Sequence, residues 1–271
     1  MSRESKGLPV IPIAVGIAVV ILMIAIMGVG GMKKGGNTEV DEALQPGIAY
    51  LEEREAKDTA EVVQVRKDIY QKKLDAHRDA MVAQLTDGST DPFSLFKDYA
   101  IMGDSRAVGF WYHKFLDKGR VFADGGHTIR NMQKELDQVA ALNPSTVYLC
   151  YGLNDVSIGY WDTKEEYAAE YLDTIKKLQA LLPDAKIVVS SILPTTDVAF
   201  LKSGKWRNIP EWSDYLGQVC QENGITFADC DNLFVKYPNL WDPVDGIHFR
   251  KEFYPYWASS LIVATLMEED A

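Results

Sequence analysis

Hydrophobic and polar positions divide this chain into three stretches of different periodicity. From Leu8 to Met32 no residue is charged and most are aliphatic. As a helix this run rises about 1.5 Å per residue and clears a hydrocarbon core about 30 Å thick. It predicts a transmembrane anchor at 8–32 behind a short cytoplasmic tail at 1–7. From Ile48 to Leu85, Glu, Lys, Arg and Ala alternate without an internal Gly or Pro, the mark of a solvated helix. Residues 33–92 are therefore read as a helical stalk and linker, closed by the turn formers of TDGSTDP at 86–92. Val63, Tyr70 and His77, interleaved with Lys67, Leu74 and Met81, make only a weak heptad seam. A stalk-mediated homodimer is accordingly the secondary reading of this stretch.

From Phe93 onward, short apolar runs alternate with amphipathic ones, the pattern of βα units around a parallel sheet. Strands are expected at 98–103, 120–125, 146–152, 186–193 and 225–230, with helices near 106–118, 128–141, 163–182, 208–223 and 251–268. The predicted fold of 93–271 is α/β, a flavodoxin-like three-layer α/β/α sandwich with a five-stranded parallel sheet, preceded by the transmembrane helix and the stalk. Ligand sites in such folds lie at the carboxyl ends of the strands.

Polar motifs do follow the expected strands: GDSR at 103–106, GGHT at 125–128, GLND at 152–155, and DGIH at 245–248 before the final helix. A serine hydroxyl is a poor nucleophile at neutral pH, so it needs a base and a third group to orient that base. Ser105, His248 and Asp245 supply those three residue types. Attack on an acyl carbon also creates an oxyanion that needs preorganised donors. The candidates are the amides of Ser105 and Gly126 and the side-chain amide of Asn154. Taken alone, Ser105 reads as a helix cap and His248 as a loop histidine. A capping serine, however, does not require a D-x-x-H on a distant segment.

These four blocks, in this order, resemble the SGNH (GDSL) hydrolase superfamily across residues 98–268. The resemblance implies Ser105 as nucleophile, Asp245 and His248 completing a triad, and Ser105, Gly126 and Asn154 forming the oxyanion hole, with no cofactor and no metal. Two departures stand out. The first block reads GDSR where GDSL is commoner, which puts Arg106 beside the nucleophile, and DGGHT leaves Gly125 as a competing donor. The chain lacks the strained G-x-S-x-G elbow of α/β hydrolases, since Ala107 stands where the last glycine would be.

Composition narrows the picture. The 271 residues carry 39 acidic against 28 basic side chains, a formal net charge of −11, which argues against a nucleic-acid partner. His77, His113 and His127 share no metal-ligand spacing with carboxylates, and no Walker or dinucleotide glycine pattern occurs. Cys150, Cys220 and Cys230 do not suggest a disulfide framework, Cys220 to Cys230 being the one conceivable bridge. Arg3 and Lys6 nearly balance Lys33 and Lys34 across the apolar run. The expectation is a single pass at the cell membrane with the amino terminus inside and the catalytic domain extracellular. The small residues Gly28, Gly30 and Gly31 keep a cleaved signal peptide as the alternative.

Substrate contacts are sought at Arg106, His127, Tyr160 and Trp161, because aromatic rings stack on sugars. Trp111, Tyr112, Trp206, Tyr254, Tyr256 and Trp257 add further rings near the expected rim. The functional expectation is a membrane-anchored serine esterase that hydrolyses a small acyl ester, such as an O-acetyl group on cell-envelope carbohydrate. The alternative is an O-acyltransferase that passes the acyl group to a sugar hydroxyl, fed by a membrane acyltransferase partner. A non-catalytic envelope scaffold is the third reading.

Overall fold

The computed structural model describes residues 87–269 continuously and, ahead of them, scattered positions between 46 and 85. The expected tail at 1–7 and anchor at 8–32 lie outside the described residues. Among the described residues no helix is long and apolar enough to cross a membrane. The described positions from 46 to 85 are helical. The chain divides into two units, 1–66 and 67–271, and the second holds the whole sheet.

Five strands form that sheet: β1 (Tyr99–Gly103), β2 (Val121–Ala123), β3 (Thr146–Cys150), β4 (Lys186–Ser190) and β5 (Thr226–Ala228). All pair in parallel, in the order β2-β1-β3-β4-β5, the doubly wound arrangement expected from the βα alternation. Side chains alternate between two cores. Ala100, Met102, Val147 and Leu149 pack on one side, while Tyr99, Ile101, Tyr148 and Cys150 pack on the other. Because both faces are covered, the strands read as continuous apolar runs.

The first core is closed by α2 (Ile129–Leu142), α4 (Lys164–Leu181) and α5 (Ile209–Glu222), the second by α1 (Gly109–Tyr112), α6 (Asn232–Lys236) and α7 (Tyr254–Glu269). Local chemistry starts these helices where it should. Thr128 and Asn131 form a capping box at α2, and Thr163 accepts from the Glu166 amide at α4. Asp79 accepts from Asn232 Nδ2 at 2.8 Å and from Lys236 Nζ at 3.0 Å, tying the segment before the sheet to α6.

Three expectations are corrected. The helix foreseen at 106–118 shrinks to α1, because Lys114 adopts a left-handed φ of 63° and the chain then turns into β2. A six-residue helix, α3 (Leu153–Ile158), starts directly after β3 where a loop was expected. All three cysteines are free and buried, so the conceivable Cys220–Cys230 bridge does not form.

The α7 residue Tyr254 lies so close to Gly109 that a Cβ there would collide with the phenol. Gly109→Ala should therefore destabilise the domain by about 1–3 kcal/mol through overpacking. The expected readout is a lower urea midpoint at unchanged slope.

Candidate active site

Ser105 sits at the crest of a turn that leaves β1. Asp104 closes that turn, its Oδ1 accepting from the Arg106 amide at 2.9 Å, while its own amide donates to Cys150 O on β3 at 3.2 Å. The serine is thus raised from the sheet edge and remains partly exposed. His248 comes from the loop before α7, and its Nε2 lies 3.0 Å from Ser105 Oγ. Its Nδ1 lies 2.6 Å from Asp245 Oδ2.

Asp245 is held in turn. Its Oδ1 accepts from the amides of Ile247 at 2.7 Å and His248 at 3.0 Å. Partial burial would raise this carboxyl, but the His248 side chain and those two amides outweigh it and lower it below the usual range. The intervening Gly246 has φ of 66°, and a Cβ on it would run into Thr196 Oγ1. Only glycine fits that close approach. With Nδ1 protonated toward Asp245, Nε2 is left to accept the Ser105 proton.

The oxyanion candidates surround the same serine by topology, since they follow β1, β2 and β3. Gly125 is removed as a competitor, because its amide donates to Asp124 Oδ1 at 2.7 Å. The amides of Ser105 and Gly126 have no hydrogen-bond partner among the described residues. Gly126, at φ 74°, has open space where a Cβ would stand. Asn154, in the first turn of α3, donates from Nδ2 to His127 O at 2.9 Å. One of its two amide hydrogens is spent on that tie and the other is left over.

Two of the expected substrate contacts, Arg106 and Trp161, are buried. Arg106 is only 3% exposed, with Nη1 donating to Leu193 O at 2.6 Å and Nε 3.6 Å from Asp104 Oδ1. Its guanidinium lies 5.6 Å from the Phe249 ring centre, next to His248, and its carbonyl accepts from Tyr254 Oη at 2.9 Å. It braces the Ser105 turn from inside. Trp161 is buried against Tyr167 and donates to Glu170 Oε2 at 2.7 Å. His127 stays partly exposed, with Nδ1 3.8 Å from Glu135, and Tyr160 is exposed. Of the other rings, Trp206, Tyr254 and Trp257 are buried, and Trp206 holds α3 by donating to Leu153 O at 2.8 Å.

Asp155 is a residue that motif reasoning passed over. It is fully buried beside Asn154, and its Oδ1 accepts from the Ile129 amide at 2.9 Å. That bond fastens the 126–129 loop to α3, so the two segments bearing Gly126 and Asn154 share one anchor. Burial pushes its carboxyl up to about 7, against the pull of backbone donors and with a further push from Asp104. The signal was available in the acidic residue that ends the GLND block.

A family model described as the GDSL-like Lipase/Acylhydrolase family matches residues 85–254. An N-acylneuraminate cytidylyltransferase of Streptococcus agalactiae serotype V is 25% identical over 154 residues, covering 56% of this chain and 35% of the relative. The chain thus spans well under half the length of the curated relatives it matches. A GDSL-like lipase structure from Bacteroides thetaiotaomicron superposes with a TM-score of 0.52 at 16% identity, covering 72% of this chain and 99% of that one. One described as GDSL-like from Parabacteroides merdae gives 0.52 at 18%, covering 62% and 95%. These two likenesses are of fold.

Arg106→Leu leaves the Asp104 carboxylate buried without its cation, at a cost of about 3 kcal/mol or more. Calorimetry should show a markedly lower melting temperature, with Arg106→Lys in between. Asp155 gives a pH signature. In the folded chain it keeps its proton up to about 7, whereas at its ordinary 3.8 it would have lost it. Between those values the folded state binds more protons, so this component of stability falls as pH rises, by up to about 1.4 kcal/mol per unit. Urea midpoints of Asp155→Asn should lack that decline across the same window.

Proposed function

Starting from the fact that the chain belongs to the GDSL-like lipase/acylhydrolase family and is a hydrolase, we propose that it is a membrane-anchored serine esterase acting on a small acyl ester of carbohydrate. The observation that carries the reading is the continuous relay Asp245–His248–Ser105, at 2.6 and 3.0 Å. In this reading Ser105 Oγ attacks the acyl carbon while His248 Nε2 takes its proton. The oxyanion is received by the amides of Ser105 and Gly126 and by the spare hydrogen of Asn154 Nδ2. His248 then protonates the departing alcohol, leaving an acyl-serine. Water attacks next, giving its proton to His248, and the acid leaves as Ser105 regains its hydrogen.

Asp245 stays ionised throughout and holds the imidazole in one tautomer. Oxyanion donors of this kind are worth about 3–4 kcal/mol of barrier each. The exposure of the His248 side chain, at 46%, supports hydrolysis over acyl transfer, because water reaches the base directly. The uncharged run at 8–32 supports an anchored, exported enzyme. The curated relatives, named for an N-acylated sugar acid, support a carbohydrate setting.

Ser105→Ala in the full-length, detergent-solubilised chain should lower kcat on p-nitrophenyl acetate by at least about a thousandfold. It should also abolish the acyl adduct seen by intact-mass spectrometry. Equal turnover in the variant would rule out the serine mechanism. An adduct that drains to an added oligosaccharide faster than to water would instead make the enzyme a transferase.

A further inference from the structure

Two residues past α3, the helix that carries Asn154, begins a cluster that the ester chemistry leaves unused. Tyr160 is 49% exposed, whereas its neighbour Trp161 is only 5% exposed. It is not loose. The Arg130 guanidinium lies 4.5 Å from its ring centre, and Trp161 meets it edge-on at 5.7 Å and 80°. Arg130 is itself clamped, Nε and Nη2 donating to the two carboxylate oxygens of Glu170 at 3.0 and 3.1 Å. Glu170 also takes the Trp161 indole hydrogen at 2.7 Å. One carboxylate therefore fixes both groups that fix Tyr160.

The cluster joins the site along two short paths. Arg130 directly follows Ile129, whose amide is held by Asp155. Tyr160 stands two residues beyond α3, whose first turn carries Asn154.

We propose that the open face of Tyr160 is a stacking subsite for the pyranose ring that bears the scissile acyl group. This rests on the esterase reading above and names where that substrate's sugar binds. A ring already held by a cation and an indole loses little conformational freedom when a sugar is laid on it. A pyranose offers a flat patch of C–H groups to such a face and hydroxyls to the surrounding polar side chains. The charged Arg130–Glu170 pair borders the ring, which disfavours an alkyl chain. The net charge of −11 disfavours a nucleotide, which would also stack.

The test compares two substrates on the full-length chain in detergent: p-nitrophenyl acetate and a mono-O-acetylated N-acetylglucosamine disaccharide. The readout is the ratio of kcat/KM for the sugar ester to that for the aryl ester. Tyr160→Ala should lower this ratio about tenfold through KM, equivalent to about 1.4 kcal/mol. Tyr160→Phe should restore most of it, because the ring and not the hydroxyl does the stacking. Arg130→Gln, which frees the ring without removing it, should give an intermediate loss. An unchanged ratio in Tyr160→Ala, with Ser105-dependent turnover of both esters intact, overturns the subsite and leaves the esterase standing. Aryl-ester turnover with no sugar-ester turnover in the wild type overturns the subsite together with the carbohydrate assignment.

Discussion

The 2.6 Å hydrogen bond between His248 Nδ1 and Asp245 is the constraint around which the active end is built. An imidazole with two usable nitrogens serves as a base for Ser105 only if one nitrogen is pinned. Pinning it requires a carboxylate whose own direction is settled, and Asp245 is settled by two amides of its own turn. That turn closes on itself through Gly246 N to Asp242 O and Asp242 N to His248 O, both 2.8 Å. It is then latched to the loop after β4 by Thr196 N on Gly246 O at 2.9 Å, and Trp241 donates to Pro194 O at 3.0 Å. His248 belongs to a small rigid body made from two distant loops.

Rigidity here is obtained with a buried ion pair, Asp104 and Arg106, and with a buried carboxyl, Asp155, that keeps its proton up to about 7. Asp104, Arg106 and Asp155 are each 3% exposed or less, at the carboxyl ends of two adjacent strands. A hydrocarbon core would be cheaper, since desolvating ions costs several kcal/mol apiece. Yet apolar side chains cannot grip amides, and these groups hold the amides of Arg106 and Ile129 and the carbonyl of Leu193. The backbone whose amides would meet an oxyanion is thus positioned by hydrogen bonds rather than by packing. One oxygen each of Asp104 and Asp155 has no partner within the protein, a residual cost of this arrangement.

Much of this was legible in the chain. The strands showed as apolar runs because both sheet faces are covered, and the sheet order follows from right-handed βα crossovers. The GDSR, GGHT and GLND residues were legible because they follow β1, β2 and β3, where the fold gathers them, whereas Asp245 and His248 come from the loop before α7. What stayed hidden depends on contacts between distant segments. Nothing local distinguishes a substrate-facing Arg106 from one that turns inward to Leu193 and Phe249, or an exposed Tyr160 from its buried neighbour Trp161. The choice between Gly125 and Gly126 turned on one hydrogen bond to Asp124. The short α1 likewise reflects a left-handed Lys114 that no helix propensity encodes.

The separation of the reacting groups along the chain has a consequence for biosynthesis. His248 lies 143 positions after Ser105, and the Tyr254 hydroxyl that steadies the Ser105 turn comes 148 positions after Arg106. Chains are made from the amino terminus at about 5–20 residues per second. For several seconds, then, the nascent protein carries Ser105 without His248 and without the Tyr254 contact that holds its turn in the folded chain. The Ser105–His248 pairing is assembled only once residues from the end of the chain have docked, so an incomplete chain presents the serine without its partner.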